Sequence, residues 1–184
     1  MSDIKGRKIA ILATDGFEQV ELTEPQKALK AAGATVIVVS PKSGKIQGMN
    51  HDEKGDKIAV DAELSSVKPE QFDGLVLPGG VANPDYLRVN PEAMAFVKHF
   101  VTSGKPIGAI CHGPWSLVET DAVRGKKVTS WPSLKTDLRN AGAQWVDEPM
   151  VRDGNLVTSR KPDDLKAFNT ALVDMFGESV AKAA

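Results

Sequence analysis

The chain has a single cysteine, Cys111, in the run Ala109-Ile110-Cys111-His112-Gly113-Pro114. The apolar segment Pro106 to Ile110 reads as a buried strand and Pro114 opens a helix, so Cys111 falls on the turn between them. Small residues two places to either side, Ala109 and Gly113, are what a tight elbow requires. This is the cysteine counterpart of the G-x-S-x-G turn, whose geometry lifts a nucleophile above the sheet and aims backbone N–H groups at a developing oxyanion. A helix N-terminus close by favours the thiolate. The ordinary fate of a lone free cysteine is burial as a small hydrophobe, but the elbow pattern favours an activated thiolate. His112 is then either its acid/base partner or an exposed turn histidine, since neighbouring side chains on a turn need not meet.

Two carboxyls follow other strand ends. Glu18, in Asp15-Gly16-Phe17-Glu18, projects into the same crevice if the first strand neighbours the one before Cys111. Like-charge repulsion beside a thiolate would favour its protonated form, so it reads as a tuner of the sulfur, or else as a solvated acid at a helix start. Asp85 follows the pair Gly79-Gly80 and is either an orienter of His112, within one subunit or across two, or a loop or cap aspartate. Gly79 and Gly80 permit close backbone approach, either as an oxyanion hole formed by the Gly80 and His112 N–H groups or as a simple turn. Gly113 joins them as backbone against which a substrate could lie. Trp115, Trp131 and Trp145 either line a pocket or pack at core edges.

These residues need a sheet to position them. Lys8 to Thr14, Thr35 to Ser40, Gly74 to Pro78 and Pro106 to Ile110 are apolar runs suited to strands buried on both faces. Helices are expected over Glu24 to Ala32, Glu92 to Thr102, after Pro114, over Ser133 to Asn140 and from Pro162 to Phe176. A short strand is expected near Lys127 to Ser130 and a hairpin across Asp153-Gly154. The polar segment Pro41 to Asp61 reads as a hairpin or excursion at the sheet edge. Alternating strands and helices predict an α/β fold with a mostly parallel sheet.

At 184 residues, with 41% hydrophobic and 26% charged residues, the chain suits one domain, residues 1–184, with a substantial core. The net charge of −1 argues against charge-driven nucleic-acid binding. No run is long and apolar enough for a membrane span, and no secretory leader is evident, which predicts a cytoplasmic location and no membrane partner. One cysteine and three scattered histidines give no recognisable zinc spacing.

Four motifs in order, Asp15-Gly16-Phe17-Glu18-Gln19-Val20-Glu21-Leu22, Leu77-Pro78-Gly79-Gly80, Ala109 to Pro114, and Thr158-Ser159-Arg160-Lys161-Pro162-Asp163-Asp164-Leu165, resemble the PfpI/ThiJ superfamily, in particular its PfpI branch. The resemblance implies a flavodoxin-like three-layer sandwich related to class I glutamine amidotransferases. It implies Cys111 as nucleophile, His112 as partner and Glu18 as the carboxyl touching sulfur. It also implies a homodimer or higher homo-oligomer in which a carboxylate crosses the interface to complete the triad; Asp85 stands there in place of a longer glutamate. The activity implied is that of a stress-protective, cysteine-dependent deglycase or glyoxalase-like hydrolase acting without metal or organic cofactor. Its substrates would be small 2-oxoaldehydes or glyoxal- and methylglyoxal-modified proteins or nucleotides. An intracellular cysteine peptidase and a redox sensor or holdase without turnover are the alternatives.

Overall fold

The computed structural model describes residues 4–181. In chain order the elements are β1 (Lys8–Leu12), β2 (Phe17–Glu18), α1 (Gln19–Ala31), β3 (Thr35–Ser40), β4 (Lys45–Asn50), β5 (Glu53–Ala59), β6 (Ala62–Glu63), β7 (Gly74–Leu77), α2 (Ala82–Arg88), α3 (Pro91–Ser103), β8 (Ile107–Ile110), α4 (Pro114–Glu119), β9 (Lys127–Val128), α5 (Lys135–Asn140), β10 (Gln144–Trp145), β11 (Met150–Asp153), β12 (Leu156–Ser159) and α6 (Leu165–Ala181).

The central sheet has the order β11-β12-β8-β7-β1-β3-β6 and is parallel except for the edge strand β11. Successive side chains of a strand point to opposite faces, which divides the core in two. Ile9 and Ile11 of β1 pack with Leu22 and Leu29 of α1 and Phe168, Leu172 and Phe176 of α6. Ala10 and Leu12 face the other way, joining Phe96, Val97 and Phe100 of α3, Leu117 of α4 and Leu138 of α5. Helices on both faces of a mostly parallel sheet make the fold α/β and flavodoxin-like, as expected. In such sheets ligands bind beyond the carboxyl ends of the strands. The turns after β1, β7 and β8 lie there.

Three departures from expectation bear on the site. The strand β7 lies between β1 and β8, so the first strand and the one leading to Cys111 are not neighbours. The helix α1 starts five residues before the expected Glu24 and contains Pro25. Proline removes one backbone donor and favours a helix start, a local preference for a later boundary that burial of Glu21, Leu22, Pro25 and Leu29 on one face outweighs. The excursion after β3 is the antiparallel hairpin β4–β5, but it pairs with β2 in a separate three-stranded sheet instead of extending the central one. Through β2 it sits over the end of β1, beside the elbow.

Candidate active site

Cys111 adopts φ +62, a left-handed conformation that residues with a Cβ seldom take. The surrounding backbone enforces it. Cys111 N–H donates to Ser159 O of β12 at 3.0 Å, Trp131 N–H donates to Cys111 O at 3.0 Å, and Gly113 N–H donates to Ile110 O at 2.8 Å. Strain held this way at a strand end is characteristic of a nucleophile elbow. Gly113 is required because an added Cβ would lie 2.5 Å from Leu77 O and 2.9 Å from Ile110 O.

The turn after β7 closes on the sulfur. A Cβ on Gly79 would lie 2.5 Å from Glu21 Oε2, 2.6 Å from Cys111 Cβ and 2.9 Å from His112 N. Gly80 has φ +73, and a Cβ there would strike Gly16 O. The Gly80 and His112 N–H groups both point at the Cys111 sulfur, the pair that the sequence suggested as an oxyanion hole. Asn83, fully buried on α2, ties the turns together: its Oδ1 accepts from Thr14 N–H at 2.8 Å, and its Nδ2 donates to Pro78 O and Gly79 O at 3.0 and 3.1 Å. We expect Gly79→Ala to lose about 1–3 kcal/mol of stability through overpacking and to abolish turnover. A denaturant titration with a parallel rate assay checks both, and an unchanged midpoint would contradict the packing described.

The carboxyl beside the sulfur is Glu21, where the sequence suggested Glu18. Glu21 Oε2 accepts from Gly79 N–H at 2.9 Å. Its Oε1 is buried without a hydrogen-bond partner among the described residues, and the thiol of Cys111 adjoins the carboxyl. Burial pushes Glu21 up to about 8, with the charge of Glu18 adding to the effect against the lowering by Gly79, Cys111 and Gly80. Glu18 is diverted by its pairing in β2, and its Oε2 accepts from His51 N–H at 3.0 Å at the turn of the β4–β5 hairpin. Both residues line the same cavity, of about 590 Å³, together with Cys111, His112, Gly80 and Trp131.

His112 does meet the cysteine: Nδ1 lies 3.2 Å from Sγ, while Nε2 lies 3.4 Å from Ser133 Oγ. Its ring stacks on Trp131 and meets the edge of Trp115. Burial among these groups lowers its pKa to about 4, so the imidazole is neutral at physiological pH. Burial, followed by the charge of Glu21, pushes the Cys111 thiol up, against the Gly80 and His112 amides. Asp85 stands exposed on α2, away from the polar partners of His112 within this chain. Trp145 lies apart from the cysteine, its Nε1 donating to Ser130 Oγ at 3.0 Å.

Sequence reasoning missed Glu21, Asn83 and Ser133. Glu21 had a legible signal, an acid in register with the apolar stripe Leu22, Pro25 and Leu29 of a helix. Asn83 and Ser133 had none, since their contacts cross between loops. Among the described residues no cluster of histidine, cysteine and carboxylate side chains could hold a metal, and no helix is long and apolar enough to cross a membrane.

The DJ-1/PfpI family pattern matches residues 7–175. A Bacillus subtilis protein named "Putative cysteine protease YraA" is 45% identical over 163 residues, 89% of this chain and 94% of the relative. The Escherichia coli protein/nucleic acid deglycase 2 is 43% identical over 174 residues, 93% of this chain and 98% of the relative. Among solved structures, a two-domain protein from Anabaena variabilis with DJ-1/ThiJ/PfpI-like and ferritin-like domains superimposes with a TM-score of 0.87 at 38% identity, covering 93% of this chain and 48% of the other. Drosophila melanogaster DJ-1beta gives 0.84 at 28% identity, covering 99% and 95%.

Proposed function

Because this chain belongs to the DJ-1/PfpI family, we propose that it is a cysteine-dependent deglycase, removing methylglyoxal- or glyoxal-derived groups from amines and releasing them as 2-hydroxy acids. The observation that carries this reading is Cys111 on a strained elbow, with Glu21, His112 and two backbone N–H groups directed at its sulfur. The names of the Escherichia coli and Thermococcus kodakarensis relatives, both deglycases, support it.

Neutral His112 cannot form a thiolate–imidazolium pair at physiological pH, so activation falls to Glu21. Against the burial that raises the Cys111 thiol, two N–H donors favour the anion on sulfur, the charge of Glu18 favours the proton on Glu21, and a protonated Glu21 carboxyl removes the like charge beside the sulfur and gives it a third donor. In the reaction, the Cys111 thiolate attacks the carbon that joins the amine to the adduct. The C–N bond breaks, the amine leaves with a proton, and a hemithioacetal forms. A proton then moves from C1 to C2, giving a thioester with a neighbouring hydroxyl, and water hydrolyses it to the 2-hydroxy acid. Adduct plus water gives amine plus 2-hydroxy acid, so no oxidant or cofactor is consumed. His112 Nδ1, close to the sulfur, carries the proton between C1, C2 and the departing amine. The Gly80 and His112 N–H groups hold the oxyanion of the thioester step.

Ser133 Oγ, 3.4 Å from His112 Nε2, holds the imidazole in place against the sulfur. Ser133→Ala is expected to lower kcat about 3–10-fold with little change in KM and to alter the pH profile, while Ser133→Thr restores activity. An unaltered kcat and profile would remove Ser133 from this role. The same nucleophile could serve a peptidase, as the name of the Bacillus relative suggests; new amino termini released from a defined peptide by the purified protein would favour that reading. The orienting role of Asp85 requires a second copy of the chain. Val81, Tyr86 and Val89, exposed on and beside the same helix, offer an apolar surface for one.

The reading is tested by following the methylglyoxal adduct of N-acetylarginine. Release of N-acetylarginine and lactate in equal amounts, at a rate proportional to enzyme, is expected. Release no faster than spontaneous decay would overturn it.

A further inference from the structure

Once Glu21 is placed at the sulfur, Glu18 has no direct part in the chemistry, yet it is held in the cavity with unusual care. The strand β2 fixes its backbone, the left-handed turn at His51 (φ 57) presents an N–H to its Oε2, and the residue is only 9% exposed. A carboxylate so shielded from water acts on a bound group far more strongly than one at the surface. The remaining lining is as one-sided: Asp52 adds a carboxylate at the exposed rim, and among the described residues no lysine or arginine lines the cavity. Several basic residues near these loops are paired with other carboxylates: Lys42 with Asp15, Lys161 with Asp163, and Arg160 with Asp147 and Asp164. The half-exposed Trp131 adds an aromatic wall suited to a planar cation.

We propose that Glu18 is a specificity-determining residue that makes this pocket select positively charged substrates, favouring adducts carried on guanidinium or ammonium side chains over adducts on phosphate-bearing bases. The inference rests on Cys111 being the reacting atom. It does not require any particular turnover.

Two alkylthiosulfonate probes of similar size, one bearing trimethylammonium and one sulfonate, report the potential at the sulfur. Each rate of Cys111 modification is divided by the rate of the same probe with 2-mercaptoethanol. The normalised cation-to-anion ratio is expected to be at least about 10 in the wild-type protein and to fall about 3–10-fold in Glu18→Gln, with a smaller fall in Asp52→Asn. In parallel, kcat/KM for the methylglyoxal adduct of N-acetylarginine should exceed that for the adduct of guanosine monophosphate, and the preference should shrink in Glu18→Gln. A wild-type ratio near or below 1, or a ratio unchanged in Glu18→Gln, overturns the proposal. The wild-type ratio is informative even if a variant fails to fold. Failure of the deglycase reading is distinct, since it leaves the probe ratio intact and both adducts unprocessed.

Discussion

Replacing Cys111 with alanine is expected to reduce turnover of the N-acetylarginine adduct by at least about 10³-fold, to the level of spontaneous release, while leaving the melting temperature close to that of the wild type. Both halves follow from the elbow. The thiol supplies the bond that forms with the adduct carbon, and no other cysteine exists to substitute for it. Alanine keeps the Cβ that the φ +62 backbone already tolerates and deletes only a sulfur facing a cavity. Cys111→Ser serves as the near-isosteric control. Its hydroxyl is a poor nucleophile at this pH, so it should be as inactive as the alanine variant. Rapid adduct breakdown by either variant, measured by chromatography of free N-acetylarginine, would mean that the chemistry lies elsewhere.

Glu21→Gln should have the second-largest effect, a fall of about 10–100-fold in peak kcat/KM, with a changed dependence on pH. In the wild type, Glu21 is neutral below about 8 and can donate to the thiolate. As pH rises through that value it ionises, places a like charge beside sulfur and loses the donated proton, so the rate falls. Glutamine cannot ionise, and the corresponding alkaline limb should vanish. Stability gives an independent reading. The folded-state value is raised from 4.5 to about 8, so the folded protein binds more protons than the unfolded chain between those values. The contribution of this carboxyl is therefore fully present below the ordinary value and is lost as pH rises through about 8. At pH 7 the loss is on the order of 3 kcal/mol. Melting temperatures of Glu21→Gln should consequently be flatter than wild type between pH 5 and 8. An alkaline limb retained in the variant, with an unchanged melting profile, would show that Glu21 does not hold this proton.

The parts of the molecule that the sequence disclosed are those governed by local pattern. The runs at β1, β3, β7 and β8 are apolar because both faces of the sheet are covered, and that pattern survives any detail of packing. The elbow was legible because small residues flank Cys111 and a helix-opening proline follows it. Glu18 and Glu21 show where such reading ends. Counting residues from the end of β1 placed Glu18 nearest the crevice, but β2 pairs with the β4–β5 hairpin and turns that side chain toward His51, while α1 starts early enough for Glu21 to reach Gly79. The hairpin is polar and its register is set by contacts remote in sequence, so neither diversion was written locally. The helix α2 was missed for a related reason: it is short, contains Pro84, and is held by Asn83 reaching back to Thr14 and Pro78.

The most direct test of the proposed activation is the ionisation of Cys111 itself. Absorbance near 240 nm, taken as the difference between the wild-type protein and Cys111→Ser from pH 4 to 10, measures the thiolate. If Glu21 holds the shared proton, the thiolate signal is present at pH 7 and titrates away in acid, below the ordinary range of a free cysteine. A signal absent at pH 7 and appearing only above about pH 9, as burial alone would dictate, would contradict the assignment of Cys111 as a resting thiolate and of Glu21 as the residue that sustains it.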